Sequence, residues 1–296
     1  MKIERLTANV FVATELRGCN AGFVVTSEGV VLIDVPIDPD NARLLAAEIA
    51  KWGKPLYIVN TEFHFDHNMN NSLFNVPVIA SEITRDLILE RNTEAQLDWR
   101  RTNLYIHPTS FPSFEEYRRG IPTITFTDRM KLHLGEHTFQ IILLPGHSPG
   151  QTSVYVPEER GVFCSDNISA GGGGTGIDRG MPYKWLESVD VLRTLDIDFI
   201  QTGHGPLVTN NIKECLDKTT TNLRASIDAV KKAKRDELSI EETIEFLEEM
   251  FPPPVRPDYE DFNPNMGNLP GHVLGFRGGL ARHLYEVIDM LEGYQR

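Results

Sequence analysis

The chain is 296 residues long, 41% hydrophobic and 24% charged, with 42 acidic against 29 basic residues and a formal net charge of −13. That length can bury one large core with a small appendage, and no stretch approaches the ~20 apolar residues of a membrane span. The negative balance repels polyanions, so nucleic acid is excluded as an expected partner. The three cysteines, Cys19, Cys164 and Cys215, show no CxxC spacing. Buried free thiols are expected, rather than a disulfide framework or a cysteine-rich zinc site.

Met1-Lys2-Ile3-Glu4-Arg5 lacks the apolar core of a signal peptide, which makes the cytoplasm the expected compartment. Residues 10–35 read as β-structure, with Phe23-Val24-Val25 and Val30-Val31-Leu32-Ile33 flanking the turn Thr26-Ser27-Glu28-Gly29. Asp38-Pro39 opens a helix that carries Leu44, Leu45 and Ile49 and stops at Gly53. Strands follow at 55–60 and 76–80. Residues 82–104 read as helical and 105–122 as rich in proline and aromatics, so 82–122 is expected to be an insertion.

Strands resume at 123–127, 131–134, 138–144, 152–156 and 161–164, with a hairpin turn at Gly135-Glu136-His137 that places His133 and His137 at the surface. A helix over 183–195 precedes a last strand, Phe199–Thr202. Beyond a boundary near 210 the pattern is helical at 212–234, 239–250 and 275–294, interrupted by a Pro/Gly-rich span at 252–271. This divides the chain into a domain at 1–210 and a helical extension at 211–296. The basic run Lys231-Lys232-Ala233-Lys234-Arg235 reads as a solvated helix face. Gly171–Gly174 reads as a mobile loop beside the site. His107, His272 and His283 read as bystanders, and Tyr183 and Trp185 as pocket or core residues.

The chemistry concentrates in Glu62-Phe63-His64-Phe65-Asp66-His67, four potential ligands in six residues directly after a buried strand. Extended backbone would point Glu62, His64 and Asp66 to one side, with His67 where the chain turns toward a helix. Three further signals each leave the end of an expected strand: His147 in Gly146-His147-Ser148-Pro149-Gly150-Gln151, Asp166 in Ser165-Asp166-Asn167, and His204 in Gly203-His204-Gly205. Loops at strand ends are where a layered αβ protein builds its site.

In order, spacing and flanking residues these motifs resemble the metallo-β-lactamase superfamily, over roughly residues 6–208. The resemblance implies an α/β (α+β) protein, a four-layer αβ/βα sandwich with two divalent metal ions along one edge. By that resemblance Glu62, His64 and His147 surround a first ion, Asp66, His67 and His204 a second, and Asp166 bridges them. Zinc is expected, with manganese or iron as alternatives. Such a pair lowers the pKa of a shared water toward ~7, and Asp66 is the candidate to orient that nucleophile and shuttle a proton.

The family pattern begins with His where this chain has Glu62. A carboxylate hardens the site, which predicts a shift toward manganese or iron, or a weakly held first ion; alternatively Glu62 points away and leaves one metal. Asp166 disfavours the true β-lactamases that tolerate a changed first ligand, and Ser169 stands where acyl-homoserine lactonases carry Tyr. No clear basic cluster for glutathione stands in 211–296, as a glyoxalase II-like thioesterase would need. The expected function is hydrolysis of a small ester, thioester, lactone or amide. The aromatics Trp99, Tyr105, Phe111, Phe114, Tyr117 and Phe276 point to a partly apolar substrate. The rival expectations are a di-iron oxidoreductase on the same cage and a catalytically idle binding module.

Overall fold

The computed structural model describes residues 1–16, 18–103, 111–168, 170, 179, 181–243 and 245. The expectations for 252–271, the helix at 275–294, most of the helix at 239–250, Gly171–Gly174, Tyr105, His107, His272, Phe276 and His283 lie outside the described residues. The first sheet runs in sequence order: β1 (Lys2–Arg5), β2 (Val10–Thr14), β3 (Ala21–Val25), β4 (Val30–Ile33), β5 (Pro55–Val59), β6 (Val78–Ser81) and β7 (Ile124–Phe126). The second comprises β8 (Arg129–Leu134), β9 (His137–Leu143), β10 (Thr152–Val156), β11 (Gly161–Ser165) and β12 (Phe199–Thr202), ordered β12-β11-β10-β9-β8.

Alternation along the strands builds the layers, because successive side chains leave opposite faces. Val10, Val12, Val31 and Ile33 point from the first sheet into a shared core with Phe139, Ile141, Val154, Phe163 and Phe199 of the second. Their neighbours Phe11, Ala13, Val30 and Leu32 point outward. There they meet Ala42, Leu45 and Ile49 of α1 (Pro39–Ile49), whose first turn is capped by Asp38. Leu44 of the same helix faces solvent. On the far side Ile142, Val162, Cys164 and Ile200 meet Trp185, Val189 and Leu192 of α6 (Pro182–Arg193) and Leu216 and Leu223 of α7 (Ile212–Arg235). The result is helix, sheet, sheet, helix: the expected four layers.

Residues 82–122 cross from β6 to its parallel neighbour β7. The stretch at 82–104 is two helices, α3 (Glu82–Arg91) and α4 (Glu94–Asn103), separated at Asn92. A third, α5 (Phe114–Arg119), lies in the proline-rich part, started by a capping box between Ser113 and Glu116. These helices supply Leu87, Ile88, Leu97 and Tyr117 to a fourth apolar cluster around Phe63, Phe65 and Met69 of the metal-like motif.

His137 departs from its expected place at the surface. It is 2% exposed, and its Nε2 lies 2.7 Å from Glu159 Oε1. Glu159, in the connection between β10 and β11, also accepts from Thr7 and from Asn9 Nδ2 in the turn between β1 and β2, so the ring is held where these segments meet.

β4 to β7 are parallel to one another, as are β11 and β12. Within each set the C-terminal ends therefore share an edge. Close approach of the sheets depends on Gly22, where an added Cβ would stand 2.4 Å from the Phe163 ring. A Gly22→Val variant is expected to lose about 1–3 kcal/mol of stability through overpacking, read as a lower denaturant midpoint with an unchanged fold by circular dichroism. An unchanged midpoint would show that the sheets have slack there.

Candidate metal centre

Every candidate ligand sits just past the end of a strand. β5 delivers Glu62 and His64; the chain then turns into a single helical turn, α2 (Phe65–Asn68), of which His64 is the N-cap. The chain is therefore not extended from Glu62 to Asp66: it bends over 62–64, and the helical turn brings Asp66 and His67 to the same side. β9 leads to His147, β11 to Asp166 and β12 to His204.

These side chains meet. Glu62 Oε2 lies 2.6 Å from His64 Nδ1, which is 3.2 Å from His147 Nε2. Asp66 Oδ2 lies 3.2 Å from His204 Nε2 and 3.7 Å from His67 Nε2. Asp166 reaches both groups: Oδ2 stands 3.6 Å from His147 Nε2 and 3.5 Å from His204 Nε2, and Oδ1 stands 3.7 Å from His67 Nε2. Glu62, His64 and His147 are thus close enough to share one cation, and Asp66, His67 and His204 another. Glu62 points inward. Glu62 and His67 are fully buried at the floor, whereas the side chains of His64, Asp66 and His204 are 24, 28 and 32% exposed at the mouth.

Two imidazoles have their ligand atoms selected from behind. His67 Nδ1 lies 2.9 Å from Asp34 Oδ2 and donates to it, leaving the Nε2 lone pair for the pocket. Asp34 is fixed in turn by Thr61, whose backbone N–H and hydroxyl donate to its two oxygens at 2.8 and 2.6 Å. His204 Nδ1 lies 3.0 Å from the Gly18 carbonyl, which frees its Nε2 in the same way. Asp34 and Ser165, whose Oγ is 3.3 Å from His67 Nδ1, both adopt left-handed backbone at φ 60° and 48°. Such strain persists where surrounding bonds over-determine a position. His147 is placed by Asn167, whose Oδ1 accepts its backbone N–H at 2.9 Å. Asn167 is itself tethered to Leu144 O and to the Nε1–H of the buried Trp185.

The helices of 82–122 brace the motif from the side. Asn68 Nδ2 donates to the carbonyls of Phe63 and His64, Tyr117 donates to Asn68 Oδ1 at 3.0 Å, and Asn92 Nδ2 donates to the Tyr117 hydroxyl at 2.6 Å. Asp34, Asn68 and Asn92 are not singled out by the sequence, Asn167 appears there only as a neighbour of Asp166, and Tyr117, expected among substrate-side aromatics, has its hydroxyl on Asn68 and Asn92. Of the first three, Asp34 has a visible signal, an acid directly after the buried strand Val30–Ile33.

Burial works against ionisation of Glu62, yet His64, His147 and His67 hold its carboxyl below the usual range. Asp66 and Asp166 are likewise held down against burial, by His67 and His204 in the first case and by His204 and His147 in the second. Burial opposes protonation of His204, but Asp166 and Asp66 push it well up. Carboxylates and imidazoles thus answer one another here, His67 being pushed well up as well, and a divalent cation could take over the positive role. Glu62 Oε1 and His67 Nε2 are buried and make no hydrogen bond. Orphaned donors of this kind, oxygen and imidazole nitrogen, fit divalent metal ions. Cys19 lies behind His67 and Asp34, with its thiol pushed up to about 12 by burial, and Cys164 is raised likewise.

The fold and this cage define a layered αβ/βα protein with a candidate cation site at the ends of its strands. Residues 14–204 match the sequence model of the metallo-beta-lactamase superfamily, and the chain belongs to that superfamily. It is similar to the hydroxyacylglutathione hydrolases of Synechococcus sp. strain JA-3-3Ab, 28% identical over 54% of this chain and 53% of the relative, and strain ATCC 27144, 35% identical over 55% of each. The chain thus spans about half the length of these curated relatives. A crystal structure of a metallo-beta-lactamase family protein from Thermus thermophilus has the same fold, with a TM-score of 0.66 at 18% identity over 98% of this chain and 95% of that one.

Two substitutions test the geometry. An added Cβ at Gly203 would stand 1.7 Å from Asp166 Oδ1. Gly203→Ala is expected to displace that carboxylate and weaken divalent metal binding by at least about tenfold with folding retained, in the range typical of disturbed metal shells; wild-type affinity by calorimetry would show that Asp166 is not needed where it stands. Asp34→Asn is expected to cost about 10–100-fold in metal affinity by loosening the His67 tautomer. Chelator competition reads this directly, and an unchanged constant would show that His67 needs no support.

Proposed function

We propose that this protein is a metal-dependent hydrolase of a small molecule carrying an ester, thioester, lactone or amide bond. The observation that carries the reading is the convergence of seven side chains from four separate loops, Glu62, His64, Asp66, His67, His147, Asp166 and His204, around orphaned buried donor atoms. In this reading Glu62, His64 and His147 hold one cation, Asp66, His67 and His204 hold the other, and Asp166 stands between them. Zinc, manganese and iron all accept such donors. When bound, a pair of cations of this kind supplies an activated water and polarises the acyl oxygen under attack.

The remaining work falls to the chain. Asp34 and the Gly18 carbonyl keep His67 and His204 in the tautomers that present Nε2. Asp66, at the mouth, orients the attacking water and takes its proton. Substrate enters past His64, Asp66 and His204, the exposed side of the cage. Two Synechococcus relatives bear the name hydroxyacylglutathione hydrolase, which supports hydrolysis as the reaction class. The net charge of −13 argues against a polyanionic partner. Among the described residues no helix is long and apolar enough to cross a membrane. Residues 1–210 form the catalytic unit in this reading, and 211–296 an extension whose α7 packs beside α6.

The carboxylates of Glu62, Asp66 and Asp166 also suit iron, so a di-iron redox protein on the same cage is the second reading. Metal content separates the two. Protein purified without added metal is expected to carry about two equivalents of zinc or manganese by plasma mass spectrometry. It is expected to lose ester, thioester or lactone hydrolysis on chelation and to regain it on remetallation. One equivalent or less after reconstitution would overturn the proposal, and two of iron with oxygen-dependent turnover would favour the redox reading.

A further inference from the structure

The two oxygens of Glu62 face different parts of the cage. Oε2 lies 2.6 Å from His64 Nδ1, whereas Oε1 lies 3.1 Å from His67 Nε2 and 3.6 Å from His147 Nε2. His64 and His147 belong to the first group and His67 to the second. Glu62 is accordingly common to two sets of donors close enough to hold a cation: Glu62, His64 and His147, and Glu62, His67 and Asp166. It is fully buried, and these imidazoles are the groups its two oxygens face.

A histidine at this position could serve one cation only, since an imidazole offers a single lone pair into the pocket. A carboxylate offers two oxygens, and two catalytic cations about 3.5–4 Å apart lie within its span. A terminal role on the first ion alone would leave Oε1 buried and unsatisfied, which is costly for a charged group. Asp166 already reaches both groups from the β11 side.

We infer that Glu62 is a second bridge, spanning both cations from the floor of the pocket, so that the two sites fill as a unit. The inference rests on the two-metal reading above and goes beyond it. The first cation to arrive leaves one Glu62 oxygen uncompensated in a dry environment, and the second removes that penalty. Differential stabilisation of this kind is positive cooperativity, and couplings between sites typically amount to about 5–150-fold in affinity. The substitution of Glu for His thereby changes the site from two adjacent ion positions into one two-ion position.

Manganese(II) titrated into the chelator-stripped full chain, followed by calorimetry, tests this. The wild type is expected to take two equivalents in one cooperative step. Glu62→Gln keeps the shape but has only one coordinating oxygen, and is expected to weaken both equivalents by at least about tenfold. Glu62→His is expected to bind two equivalents in separable steps, with the coupling reduced to what Asp166 alone supplies. If Glu62→Gln weakens one equivalent and leaves the other at wild-type affinity, Glu62 is a terminal ligand and the bridge is overturned while the two-metal reading stands. A wild type that binds no metal overturns that reading and the bridge together. A crystal structure of the manganese-loaded wild type gives an answer independent of variant folding: one Glu62 oxygen on each ion is expected, and both oxygens on a single ion would overturn the inference.

Discussion

The constraint on which this structure turns is electrostatic. Asp34, Glu62, Asp66 and Asp166 are brought to one place, three of them almost wholly removed from water. Buried carboxylates without compensation are among the most expensive arrangements a protein can adopt. Here the imidazoles of His64, His67, His147 and His204 are set among them so that charge of one sign always faces a group able to answer it. An acidic cage lined by imidazoles is a site that gains from divalent cations, because their charge can replace the protons that the carboxylates draw onto His67 and His204.

Holding such a cage is the task of the fold. No single element carries more than part of it, and the loops that meet belong to different sheets. Stitches across the sandwich secure them: Thr152 N–H donates to the Thr61 carbonyl, and Asn20 N–H to the Gly203 carbonyl. The Asn20 side chain donates to the carbonyls of Thr202 and Gly205. Gly203 lets Asp166 approach a neighbouring strand end within a distance no side chain would permit. The helices of 82–122 add a lateral clamp through Tyr117, Asn68 and Asn92. A segment that looks peripheral in the chain is therefore in contact with the backbone of the ligand-bearing turn.

The architecture was legible because its determinants are local. Short apolar, β-branched runs bounded by turn signals mark β2, β4, β10 and β11, as expected of strands buried on both faces, and the apolar spacing in 39–49 and 183–195 marks the outer helices. Two elements were hidden. β1 is a four-residue edge strand, Lys2-Ile3-Glu4-Arg5, with no apolar face to announce it, and it exists because β2 offers it backbone partners. α5 lies in a segment rich in proline and aromatics, and its short helix is visible only through the capping box. His137 looked exposed because hairpin residues usually are; its burial depends on Glu159, distant in sequence from the Thr7 and Asn9 that complete its setting.

The sequence by itself determined the identity of the ligand-type residues and their order, because four of them crowd into six positions and the others follow strand ends, His147 and His204 beside glycine. It also determined the layered fold, because short strands buried on both faces are written as apolar runs between turn signals. Only the tertiary structure decided which way each group faces. That Asp34 selects the His67 tautomer, that Asn167 places His147, and that the two oxygens of Glu62 address different neighbours are matters of convergence between segments far apart in the chain. Periodicity and spacing report on one element at a time. The meeting of loops from two sheets depends on how those sheets pack, and that is settled by the shared core between them.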